Sequence, residues 1–217
     1  MKRLDIMIFA VLVVLLTMNI RAQDPDIWGP EISESGTGRF LQEVSWRTGI
    51  PIALMTGKRE KIEKFSFRII DGESVESIAD RIRNRITVGS DGYKVQLVNG
   101  IIVVSDVNLD QRLTDFMQLE VSGTSVNGGS TDTFVKKLLN LKPAEEFLCR
   151  NRLEYKGWDP GIKFPTFASD ATLRFDTSTV REVFDGIIGD KGSGVRFWMV
   201  VLEVGDSGKS YLRIGIA

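Results

Sequence analysis

The chain contains no histidine and a single cysteine among 217 residues. Without histidine there is no imidazole general base, no imidazole metal ligand and no Ser-His-Asp or Cys-His nucleophile. One cysteine cannot close an internal disulfide, a CxxC redox pair or a thiolate zinc site. An excess of one charge is lacking too. The 28 basic and 29 acidic side chains leave a net of −1, so nothing electrostatic points to nucleic acid or to an anionic membrane surface. No cofactor or metal is expected, no catalytic residue is assigned, and the chain is read as a non-enzyme. An apolar content of 42% is ample for one large or two small packed cores.

Long hydrophobic runs are absent except at the start. Ile6 to Met18 (IMIFAVLVVLLTM) carries no charge, follows Lys2 and Arg3, and precedes Ala22. The run is too short for a hydrocarbon core of ~30 Å, which takes about 20 apolar residues as a helix. Residues 1–22 read as a secretory signal peptide cleaved between Ala22 and Gln23. An uncleaved anchor is the alternative, because Ile20 stands three positions before the cut where a small residue is usual. Cleavage removes Lys2, Arg3, Arg21 and Asp5, which leaves 25 basic and 28 acidic residues and a net of −3. No membrane insertion is expected after cleavage. With no Asn-x-Ser/Thr acceptor and no disulfide, a bacterial envelope compartment, periplasmic or otherwise exported, fits best.

Hydrophobic periodicity organises the rest. Residues 23–35 form an exposed lead-in. Phe40, Leu41, Val44 and Trp46 suggest a helix ended by Gly49. Ile50 to Met55 is an apolar run of strand length, and Phe65, Phe67 and Ile69 alternate as a half-buried strand. After the Asp71-Gly72 turn, Val75, Ile78, Ala79, Ile82 and Ile86 make one helical stripe. Tyr93, Val95 and Leu97 then alternate up to Asn99-Gly100, a two-residue hairpin signal, before Ile101 to Val104.

The second half repeats this order. Residues 116–121 are expected as a strand, 122–130 as a Gly/Ser-rich loop, and Phe134 to Leu148 as a helix. Residues 155–170 read as irregular. Ala171, Leu173 and Phe175 alternate, Thr177 to Ile188 is helical, and 195–202 with 211–216 closes a hairpin. Val75, Ile78, Ala79 and Ile82 match Val180, Val183, Phe184 and Ile187. The fold class is α+β, as two related small modules, each a mixed or antiparallel sheet with one or two helices on one face. Module 1 spans 36–106, and a degenerate module 2 spans 107–217 with an insertion around 155–170.

The string FSFRIIDGESVESIADRIRNRI…YKVQLVNGIIVVSD, preceded by LQEVSWRTGIPIAL, resembles the STN module, the secretin and TonB-receptor N-terminal domain. That resemblance covers residues 37–105 well and 115–217 more loosely. It implies an envelope-exposed, non-catalytic domain that contacts other proteins. The chain ending at Ala217, no secretin pore or receptor barrel is expected to follow.

Other motifs favour bland readings. GDSGKS at 205–210 ends like a phosphate loop, but position 203 is Glu and a strand follows where a helix is required. GDKGSG at 189–194 follows a helix and reads as its cap and turn. Glu145 and Glu146 are adjacent and cannot face each other, while Asp159, Asp170 and Asp176 fall in turn contexts. Cys149 reads as a small half-buried hydrophobe.

The strand at 195–202 is apolar on both faces. Val195, Phe197, Met199 and Val201 form a core face, and Trp198, Val200 and Leu202 lie on the other. The second face is either covered by 155–170, with Trp158, Phe164 and Phe167, or is a partner-contact patch. The expected role is binding or assembly with envelope proteins of unknown identity, and homo-oligomerisation is open. Alternatives are a histidine-free glycan hydrolase using paired acids, and a glycan-binding protein using Trp158 and Trp198 as stacking platforms.

Overall fold

The computed structural model describes residues 31–57, 64–87, 92–157 and 166–217. The signal segment with Ala22 and Gln23 lies outside them, as do Trp158, Asp159 and Phe164. Among the described residues no helix is long and apolar enough to cross a membrane.

The first half runs β1 (Glu31–Ser35), α1 (Thr37–Thr48), β2 (Ile52–Thr56), β3 (Lys64–Arg68), α2 (Val75–Thr87), β4 (Tyr93–Val98) and β5 (Ile101–Asp106). Gly49, at φ 69°, ends α1 and donates its N–H to Ser45 O at 2.8 Å, a left-handed cap that a Cβ would disfavour. Trp46 departs from the expected stripe and is 59% exposed. The second half runs α3 (Gln111–Met117), β6 (Glu120–Ser130), α4 (Thr131–Leu139), α5 (Lys142–Arg150), β7 (Leu153–Tyr155), β8 (Thr166–Thr179), α6 (Val180–Gly189), β9 (Phe197–Val204) and β10 (Ser210–Ile216). The architecture is α+β, as the patterning predicts.

The repeat is complete in topology. β1-α1-β2-β3-α2-β4-β5 corresponds to β6-α4-β7-β8-α6-β9-β10, with α3 as connector and α5 as an added helix. In each copy the first and third strands pair antiparallel (β1 with β3, β6 with β8). The second and last pair parallel (β2 with β5, β7 with β10), and the last two form an antiparallel hairpin.

The two three-stranded sheets are fused. β2 pairs in parallel with β9, Ile52 opposite Phe197 through Thr56 opposite Val201, giving one sheet in the order β4-β5-β2-β9-β10-β7. All five residues of β2 are buried, as suits a central strand with parallel neighbours on both sides and cover on both faces. On one face α1, α2 and β3 pack over Ile52, Leu54, Ile102, Val104 and Phe197. On the other, α3 to α6 with β6 and β8 cover Ala53, Met55, Val103, Trp198, Val200 and Leu202. The helices of the two copies therefore lie on opposite faces, and each layer also covers strands of the other copy. Ser45, buried in α1, donates its hydroxyl to Ile50 O at 2.7 Å and lies 2.9 Å from Arg196 O, at the seam.

Five local expectations are corrected. Residues 31–35, expected in the exposed lead-in, form β1 and pair antiparallel with β3. Residues 116–117 belong to α3, whose N-terminus is capped by Asp110 accepting from Arg112 N, and the strand begins only at Glu120. The Gly/Ser-rich stretch 122–130 is strand because β8 lies alongside it, with a register shift between Asn127 and Gly129. The helix expected from Phe134 to Leu148 is two, divided after Leu139, with Pro143 in the first turn of α5. Within the irregular stretch, residues 166–170 belong to β8.

Candidate interaction surface

The residues singled out on β9 are interior. Trp198 and Val200 are fully buried and Leu202 is 2% exposed, so they form no partner patch, and Trp198 offers no stacking platform for a glycan. Among the described residues, α6 supplies cover: the Phe184 ring lies 5.7 Å from the Trp198 ring, and Trp198 Nε1 donates to Asp185 Oδ1 at 2.9 Å. Arg181, paired with Asp185 at 2.8 Å, places its guanidinium 5.6 Å from the indole. Phe167 does reach the same core, edge-on to Phe134 at 5.8 Å. β9 is apolar on both sides because it is an interior strand of a sheet clothed on both faces.

Cys149 is exposed, not half-buried, because it falls on the solvent side of α5 while Ala144 and Phe147 face inward. Glu145, Glu146, Asp170 and Asp176 are all exposed, the first two on α5 and the others on β8. Among the described residues no three His, Cys, Asp or Glu side chains are grouped to hold a metal.

Among the described residues, concavities flank strands β7, β9 and β10. A cleft of about 580 Å³ beside the β9–β10 turn is lined by Gly57, Lys156, Glu203, Asp206, Tyr211 and Arg213, among others. Two of its charges pair with each other: Arg213 Nε donates to Glu203 Oε2 at 2.9 Å, and Arg213 Nη1 donates to Gly157 O at 3.1 Å. Lys156 Nζ sits 5.4 Å from the Tyr211 ring centre. The GDSGKS segment forms that turn, closed by Gly205 N donating to Lys209 O at 2.8 Å, and it precedes a strand. A shallower groove of about 380 Å³ beside β7 is lined by Lys136, Leu139, Asn140, Glu145, Leu148 and Tyr155. There burial, reinforced by the Asp132 carboxylate 3.4 Å away, pushes the Tyr155 phenol up to about 12.

The remaining feature is the sheet edge itself. β4 and β7 are the end strands, and among the described residues each pairs on one side only. β7 is three residues long, a common way to blunt an edge. β4 is six residues long and contains neither proline nor glycine. Leu97 (38% exposed) and Val98 (39%) lie on it, and Val107 (60%) stands beside its start, donating its N–H to Gly92 O at 2.8 Å. From α2, Arg83 Nη2 donates to Val95 O at 3.2 Å, and the same guanidinium pairs with Asp80. Alternation in residues 93–98 marks a strand but not its place in the sheet, so sequence reasoning passed over this edge. The polar back face, Lys94 and Gln96, was the available signal.

No protein-family model, curated protein or solved structure matches this chain.

Proposed function

We propose that the protein is an exported, non-catalytic interaction or assembly module of the bacterial cell envelope, working through strand addition at the open edge of its sheet. One observation carries this reading: among the described residues β4 is a six-residue end strand, with Leu97 and Val98 exposed at its C-terminal end and exposed Val107 beside its start. An added strand there gains backbone hydrogen bonds, and alternate side chains supply selectivity. The envelope assignment rests on the charged-then-apolar pattern of residues 1–22.

The STN-like assignment belongs to the same proposal. The quoted pattern asks for a helix ending in Thr-Gly, a strand, a turn, a helix and a hairpin. The first half supplies α1 ending at Thr48-Gly49, then β3, the turn at Asp71-Gly72, α2 and the β4–β5 hairpin.

The test is chemical cross-linking in intact envelopes with the wild-type protein and with Leu97→Pro as baits. Proline removes an N–H that β4 directs outward while sitting on an edge, where it is best tolerated. The reading expects a mature N-terminus at Gln23 and a cross-linked envelope protein lost with Leu97→Pro. A protein retained in the cytoplasm, or a partner captured equally by both baits, overturns it.

A further inference from the structure

The hairpin turn fixes which backbone groups of β4 face outward. Val98 opposite Ile101 closes a two-residue loop, and hydrogen-bonded pairs alternate from there. Lys94, Gln96 and Val98 therefore bond to β5, whereas the N–H and C=O groups of Tyr93, Val95 and Leu97 point away. Arg83 reaching Val95 O from the open side agrees with that assignment. α2 ends at Thr87 and β4 starts at Tyr93, so the two packed elements run antiparallel. Asp80, about one turn before Arg83, then lies level with Gln96 and Leu97.

Resting on the reading of this edge as an interaction surface, we infer that its occupant is a second copy of the chain, paired antiparallel through β4 about a two-fold axis at Gln96. In that register Val95 and the partner's Leu97 exchange backbone hydrogen bonds, and Val95 O keeps Arg83 on its other lone pair. Lys94 lies opposite the partner's Val98 and lays its methylene stem over that exposed side chain. Asp80 faces the partner's Arg83, and Arg83 the partner's Asp80, the self-complementarity that a two-fold contact requires. A slip that set Lys94 opposite itself would oppose like charges and separate the Asp80–Arg83 pairs. The two six-stranded sheets become one continuous sheet.

The register is directly testable. Residue 96 opposite itself, at a non-hydrogen-bonded position, brings the two Cα atoms to about 4.5 Å, within disulfide reach. In a Cys149→Ser protein, Gln96→Cys should oxidise to a disulfide-linked dimer and Lys94→Cys should not. By sedimentation, the purified protein should form a dimer. Arg83→Glu and Asp80→Lys should each weaken it by about tenfold, and a mixture of the two variants should restore it. Both side chains are exposed, and circular dichroism checks that the variants fold. A monomer at every concentration, equal cross-linking at 94 and 96, or open-ended growth through β4 on β7 overturns the inference. A monomer that still captures an envelope partner through β4 overturns it while leaving the proposed function standing.

Discussion

The indole of Trp198 and the carboxylate of Asp185 hold β9 to α6 through a hydrogen bond of 2.9 Å inside the larger core. The indole N–H, fully buried, has one acceptor, and that acceptor is oriented in turn by Arg181. Replacing Trp198 with Lys removes the largest fully buried side chain among the described residues and inserts a charge, at a cost of about 3–5 kcal/mol or more. Asp185→Ala strands the N–H at about 1–3 kcal/mol, and Asp185→Asn should cost less because an amide oxygen can still accept. Urea unfolding measures all three. A Trp198→Lys protein as stable as wild type would show that the site is not core.

Tyr155 should lose its phenolic proton only at strongly alkaline pH. Burial and the nearby Asp132 carboxylate raise its phenol to about 12, whereas an unfolded tyrosine titrates near 10. The folded state thus keeps a proton that the unfolded chain releases, and this contribution to stability is lost as pH rises from about 10 to 12. Absorbance at alkaline pH should show a late phenolate step that Tyr155→Phe removes. A late step persisting in Tyr155→Phe would assign it to another ring.

At the end of β5, Asp106 is buried, with Oδ2 accepting from Thr56 Oγ1 at 3.1 Å and from Gly57 N at 2.7 Å, while Oδ1 has no partner among the described residues. Asp106→Ala strips both donors of that acceptor and should cost about 1–3 kcal/mol. Asp106→Asn keeps the acceptor and removes a buried charge, so it should be the milder change. Equal unfolding midpoints for the two variants would contradict this account.

Cys149, exposed on α5, should react with a thiol reagent in the native protein without change in melting temperature. Labelling that required denaturant would restore the buried reading.

Most elements with a clean period were legible. The stripes at 75–86 and 180–188 are α2 and α6, and Asn99-Gly100 is the turn of the β4–β5 hairpin. What escaped depends on partners distant in the chain. Residues 122–130 have the composition of a loop and become strand only because β8 pairs with them. β7 is too short to show a period and exists through β10. The aromatic patch failed for the same reason: an apolar second face on 197–202 records burial between two layers, and the layers come from both halves of the chain.

The parallel contact of β2 with β9 also sets the order of events in folding. Residue 52 cannot complete its ladder until residue 197 has been made, because β9 is the neighbour that closes its second side. Synthesis from the N-terminus therefore leaves β2 exposed along one edge until nearly the whole chain has emerged, a delay that a fold rich in distant pairings imposes on its own rate. The first copy is an unfinished sheet on its own, and the second copy completes it.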